Sequence, residues 1–331
     1  MQQPSSFRLA ALCGAAVFMA VSVASALFAP AALAQSGSNR PVRLIVPLQA
    51  GSSNAMVTRI IAPHLSAALG QTFVVENKVG GNGVIGAMEV VRAAPDGTTL
   101  LAGSNSPMAA NVAFMKSMPY DPRRDLTPVA GLAQTHWVLL VKPTAPIHTM
   151  AEFIAYAKAR PGKVSVGYST TAVQTQIATI GKLGGVQLLP VPYKGAPATI
   201  TDVTGGTLDA TLTDPGNASA QVKGGTLRAV AVSSGKRNPN YPDWPAISET
   251  LPDYDFRAWN AIAGPPGMAR DLVLRLSNAV ADALKKPEVI EGYSHHGSST
   301  LIMSADALRK FIETETDKWA RLAKEANIQP E

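Results

Sequence analysis

The chain has 331 residues, 46% of them hydrophobic, with 29 Lys and Arg against 23 Asp and Glu and a formal net charge of +6. That length suits a leader plus roughly two domains. The basic residues are scattered with no run of five and no interleaved aromatics, so nucleic acid is excluded as a partner. The single cysteine, Cys13, falls in the leader, which leaves no disulfide and no thiolate metal site in the rest.

Residues 1–34 read as a signal peptide. Arg8 precedes an apolar run from Leu9 to Phe28, and Ala32-Leu33-Ala34 is an A-x-A processing site. Small residues interrupt the run, so a cleaved leader and a periplasmic product are expected rather than an anchor.

The first unit after it reads strand, loop, helix. Leu44-Ile45-Val46 is stopped by Pro47, and Val57, Ile60, Ile61, Leu65 and Leu69 then recur at helical spacing up to Gly70. Between them, Gln49, Gly51, Ser52, Ser53 and Asn54 sit where a helix begins. Backbone N–H groups there, with hydroxyls and an amide, can hold an anion without a lysine or arginine. The plain alternative is a βα turn whose Ser or Asn caps the helix.

The same grammar recurs. Phe73-Val74-Val75 is a strand, Val79 to Gly83 a Gly-rich loop and Val84 to Ala93 a helix. Thr99 to Gly103 is a strand that runs into Ser104-Asn105-Ser106-Pro107, with a helix from Met108 to Met115. Val129 to Gln134 and Trp137 to Val141 are strands, with Thr135 at the break. Met150 to Ala157 is a helix, and Val164 to Tyr168 a strand before Ser169-Thr170-Thr171 opens a helix to Leu183. Val186 to Pro190 is a strand, with Tyr193 in the loop that follows. Ala198 to Val203 is a short helix, Asp209 to Thr213 a strand, and Asp214-Pro215-Gly216-Asn217 opens the next helix. Leu227 to Ser233 and Trp259 to Ala263 are strands, and the tail is helical, with Ala307 to Ala326 as its last long helix. Alternating β and α elements predict an α/β protein with parallel sheets, whose ligand sits outside the carboxyl ends of the strands. Four polar loops lie there, without Lys, Arg or His. The expected pocket therefore works through backbone N–H, hydroxyl and amide groups rather than ion pairs.

Gly81-Asn82-Gly83-Val84-Ile85-Gly86 matches G-x-G-x-x-G, but in the second βα unit and with no acid ending the next strand, so a close-packed turn is the better reading and no cofactor is expected. The five histidines show no H-x-x-x-H spacing, so no metal site is expected. No G-x-S-x-G elbow supports a serine hydrolase, and no catalytic residue is assigned. Asp214 is the one carboxylate placed in the pocket, with a helix cap as an equal alternative.

Pro41-Val42-Arg43-Leu44-Ile45-Val46-Pro47, Val75-Glu76-Asn77-Lys78, Ala94-Pro95-Asp96-Gly97-Thr98-Thr99-Leu100-Leu101, Pro119-Tyr120-Asp121-Pro122, Val191-Pro192-Tyr193-Lys194-Gly195 and Ala263-Gly264-Pro265-Pro266-Gly267 stand in one order along the chain. In that combination the chain resembles the periplasmic receptors of tripartite tricarboxylate transporters, the Bug family. The resemblance implies a two-domain Venus-flytrap fold of the periplasmic-binding-protein type, with domain 1 from 35–137 plus 262–331 and domain 2 from 138–261. It implies a small organic acid in the cleft, a membrane permease as partner and no catalysis. The candidate ligand set is Gln49, Gly51, Ser52, Ser53, Asn54, Ser104, Asn105, Ser106, Thr135, Ser169, Thr170, Thr171, Tyr193 and Asp214, in an expected monomer. The chain departs from the family in its first loop, where Ser52 and Ser53 replace glycines and Ala55 an acid, and at Thr213, where an aspartate is usual. A sensory receptor of the same fold and an exported hydrolase are the alternatives.

Overall fold

The computed structural model describes residues 40–238, 241–325 and 328–330. The expected signal peptide, with Cys13, lies outside the described residues.

Strand β1 (Val42–Val46) is buried except at Arg43, and it leads into helix α1 (Ser53–Leu69). Ser52 caps α1 by accepting the Ala55 N–H at 3.3 Å, and Gly70, at φ +65°, ends it. This cap-to-glycine span is what the apolar spacing predicts. Beside β1 lie β2 (Phe73–Asn77) and β3 (Thr99–Ser104), both parallel to it. They are joined through a turn at Gly81–Gly83 and helix α2 (Val84–Val91). At Gly86 a Cβ would meet Lys78 O at 3.0 Å and Pro47 Cα at 3.2 Å. The glycine pattern there serves close packing of α2 on the β1 loop.

The chain then adds β4 (Thr127–Thr135), and much later β10 (Ala258–Gly264) and β11 (Ser299–Thr300), to complete a six-stranded sheet in the order β11–β4–β10–β3–β1–β2. A second, five-stranded sheet has the order β7–β6–β8–β5–β9, from β5 (Val138–Val141), β6 (Val164–Tyr168), β7 (Leu188–Pro192), β8 (Ala210–Thr213) and β9 (Arg228–Val232). Each sheet is mixed. The βα units β2–β1–β3 and β7–β6–β8 are parallel, as expected of crossovers through helices. β10 and β5 run antiparallel to their neighbours, because each enters its sheet from the other sheet rather than through such a crossover. The chain leaves the first sheet after Thr135 and returns at Ala258. The return boundary anticipated at 261/262 falls inside β10, whose whole length pairs in the first sheet.

Helices α4 (Met150–Lys158), α5 (Thr171–Gly184), α6 (Ala196–Gly205) and α7 (Pro215–Lys223) belong to the second half. Helices α8 (Arg270–Ala283), α9 (Pro287–His295) and α10 (Ala305–Glu325) follow β10. Two local expectations shift. β7 starts at Leu188, not Val186, because Gly185 caps α5 at φ +60° and the Val186 N–H closes that cap on Gly181 O at 2.9 Å. The helix expected from Met108 is a π turn, Ser106–Ala110, running into the short α3 (Asn111–Phe114). Pro107 brings no N–H, and its carbonyl accepts from Tyr120 Oη at 2.6 Å, which draws the first turn out of the regular ladder.

One apolar core contains residues of both sheets, Ile45 and Leu101 with Leu139 and Val166. Trp319 of α10 sits in it fully buried, with Phe114 at 6.3 Å and Phe256 at 5.9 Å between ring centroids.

Candidate functional site

The carboxyl ends of β1, β3, β6 and β8 converge on one cavity of about 290 Å³. All the candidate residues line it except Thr171 and Tyr193. Thr171 Oγ1 accepts from Asn82 Nδ2 at 2.9 Å, a bond that ties α5 to the turn after β2. Tyr193 donates its hydroxyl to Asp202 at 2.5 Å, which turns the ring onto α6. Both side chains are engaged away from the cavity.

The first wall comes from the β1–α1 loop and the end of β3. Gly51 takes φ +85° to make the turn in which Ser52 N–H donates to Gln49 O at 3.1 Å. Several side chains expected to meet a ligand are engaged within the fold. Ser53 Oγ lies 3.0 Å from Ser298 Oγ, Asn54 Nδ2 donates to Ala102 O at 3.0 Å, and Thr135 Oγ1 donates to Gly297 O at 2.8 Å. What α1 offers is its positive end. The helical N–H ladder begins with Met56 donating to Ser52 O, so the amides of Ser53 and Asn54 precede it. Ser104, Asn105 and Ser106 are all buried, and Asn105 Nδ2 has no hydrogen-bond partner among the described residues.

The second wall comes from β6, β8 and the loop after β7. Thr170 caps α5, accepting the Val173 N–H at 3.4 Å, with Ser169 beside it on the wall. Asp214 caps α7, accepting from Asn217 N at 3.0 Å and from Asn217 Nδ2 at 2.7 Å. Asp214 is among the lining residues, and the hydrogen bonds its carboxylate makes are those of the cap. Thr213, ending β8, is 2% exposed, and its Oγ1 likewise has no partner among the described residues. A buried neutral polar group left unpaired costs about 1–3 kcal/mol. Facing walls of one cavity each carry such a group.

Lys194 also lines the cavity, which corrects the expectation of a wall without a cationic residue. The walls touch there: Gln49 Nε2 donates to Lys194 O at 3.4 Å. A side chain at Gly195 would put its Cβ 2.9 Å from Gln49 Oε1. A larger residue there would have to displace the end of the exposed Gln49 side chain. Thr213, Lys194 and Asn260 were missed as lining residues. Thr213 carried a signal, as the last residue of a recognised strand, but the adjacent acid drew the assignment. Asn260 carried none, since it reaches the wall through long-range pairing of β10 with Ser104 of β3.

Among the described residues no group of three or more His, Cys, Asp or Glu could hold a metal ion, and no helix is long and apolar enough to cross a membrane. No described serine is hydrogen-bonded to a histidine. His136 lines a different cavity, and burial lowers its pKa.

Two mixed sheets joined by crossing segments, with a cavity at the strand ends that Ser, Thr and Asn residues help to line, define a solute-binding protein of the periplasmic-binding-protein fold. An R. palustris protein solved with adipate superposes with a TM-score of 0.85 at 30% identity, over 89% of this chain and 100% of that one. The periplasmic binding protein BugD gives 0.81 at 28% identity, over 88% and 99%. The Rhodopseudomonas palustris protein MatC with bound malate gives 0.78 at 27%, over 86% and 98%. BugT of Bordetella pertussis is 31% identical over 93% of this chain and 95% of its own length. The family described as tripartite tricarboxylate transporter family receptor matches residues 57–328, and the chain belongs to it. Its members are receptors rather than enzymes.

Proposed function

We propose that the cavity captures a small organic acid and that the protein, a periplasmic monomer, presents it to the membrane permease of a tripartite tricarboxylate-type transporter. One observation carries the reading: Asn105 Nδ2 and Thr213 Oγ1, buried on facing walls, have no partner among the described residues. A carboxylate offers acceptor oxygens to both, and to the amides of Ser53 and Asn54 at the positive end of α1. The cavity is near the small end of the usual range of about 300–1,000 Å³ for ligand pockets, which favours a compact acid. The family's solved members with adipate and malate support a carboxylate ligand, and the leader at 1–34 supports export. Two lobes, one around each sheet, close on the ligand. Asp214 is engaged as a cap, which gives little support to a ligand amino group.

A panel of dicarboxylates, tricarboxylates, aromatic acids and amino acids tests this by melting temperature and X-ray scattering. At least one acid is expected to raise the melting temperature and shrink the radius of gyration. A panel in which no acid acts, or in which neutral sugars added as controls act and the acids do not, overturns the reading. Native mass spectrometry of the protein taken from the periplasm identifies a carried ligand directly.

A further inference from the structure

A second cavity, of about 560 Å³, lies where the chain passes between the sheets. It shares only Thr135 with the first. Its walls are Gln134 to His136 at the end of β4, the segment from Ser234 after β9, and Asp255 and Arg257 before β10.

The charges there do not cancel. Arg237 is held by Glu249, with Nη2 2.9 Å from Oε2, and these two compensate each other. Asp255 accepts the Gly235 N–H at 3.0 Å and offsets one further positive charge. Arg257 makes a single long contact, Nη1 to Gln134 Oε1 at 3.4 Å, and Lys236 has no hydrogen-bond or ion-pair partner among the described residues. One positive charge is left over. An independent observation stands beside it. Ser234 is 3% exposed, and its Oγ has no hydrogen-bond partner among the described residues. A buried hydroxyl without a partner and a surplus of positive charge lining the same cavity make the donor set of an anion site.

We propose that this second cavity binds a small oxyanion, held by Arg257, Lys236 and the Ser234 hydroxyl. The inference is independent of what the first cavity binds. Arg257 supplies a planar fork that suits two terminal oxygens, and Lys236 a mobile point charge. Asp255 limits the site to an anion whose oxygens can keep clear of its carboxylate.

The probe is inorganic phosphate, titrated by calorimetry at low ionic strength into the mature protein and into three variants. Wild type is expected to take up one equivalent saturably. The double variant Arg257→Gln, Lys236→Gln is expected to weaken phosphate at least tenfold, and Ser234→Ala severalfold. Thr213→Val, on the other cavity, is expected to leave phosphate affinity unchanged. Ser234→Ala removes a hydroxyl that bonds to no described residue, so it keeps the test valid if the double variant folds poorly. The proposal is overturned by the absence of saturable uptake, by unchanged affinity in Ser234→Ala and the double variant, or by loss of affinity in Thr213→Val, which would put phosphate in the first cavity.

Discussion

The two walls of the cleft are built from similar residues and held in different ways. The first is tied into the fold by side-chain bonds from Ser53, Asn54 and Thr135 to partners distant in sequence. The second is held locally, by Thr170 and Asp214 capping the helices they begin. Several of the side chains that look suited to a ligand, Ser53, Asn54, Thr135, Thr170 and Asp214 among them, are engaged within the protein. On each wall one further residue, Asn105 or Thr213, carries a buried polar atom that has no hydrogen-bond partner among the described residues.

That contrast can be broken most sharply at those two residues. Asn105→Ala is expected to weaken acid binding by about 10–100-fold, the range for a hydrogen bond to a charged group. Thr213→Val is expected to weaken it about tenfold while raising the stability of the ligand-free protein by about 1 kcal/mol, since a buried unpaired hydroxyl is replaced by a methyl of similar shape. Calorimetric titration with denaturant unfolding measures both. A Thr213→Val protein that binds normally would remove the second wall from the site.

A smaller effect is expected at Asp214. Asp214→Ala should cost about 1 kcal/mol of stability through the lost cap, and Asp214→Asn only a few tenths because it still caps. If Asp214→Asn instead abolishes binding with stability intact, the carboxylate meets the ligand directly.

The smallest effect sharpens how the walls meet. Asn82, at φ +51°, donates to Thr171 at 2.9 Å and to Asn111 Oδ1 at 2.6 Å, bridging the two halves. Asn82→Gly keeps that backbone conformation at no steric cost and removes the bridge. Only the bond to Thr171 joins the halves, and its loss, worth about 0.5–1 kcal/mol, should enlarge the ligand-free radius of gyration in X-ray scattering. An unchanged radius would assign Asn82 to turn geometry alone.

Much of the fold was legible because apolar periodicity and caps are local. β1, α1, β6 and α5 follow from runs such as Leu44-Ile45-Val46 and from Ser52 and Thr170 before helical spacing. The polar loops at strand ends were legible for the same reason. Long-range placement was not. The antiparallel entry of β5 and β10, the pairing that brings Asn260 to the wall, and the meeting of Gln49 with Lys194 all join residues far apart in the chain. Nor does sequence separate a capping serine from one that meets a ligand, since the same residue types suit both.

The rings around Trp319 have a mechanical consequence. They stand in a core that both sheets share, and Tyr254 Oη donates to Gln176 Oε1 on α5 at 3.2 Å within the same region. The halves therefore do not swing as beads on a string. Any opening rolls aromatic edges over one another, trading many weak dispersion contacts gradually. Separating the halves would expose those faces to water, at about 25 cal/mol for each Å² of apolar surface uncovered.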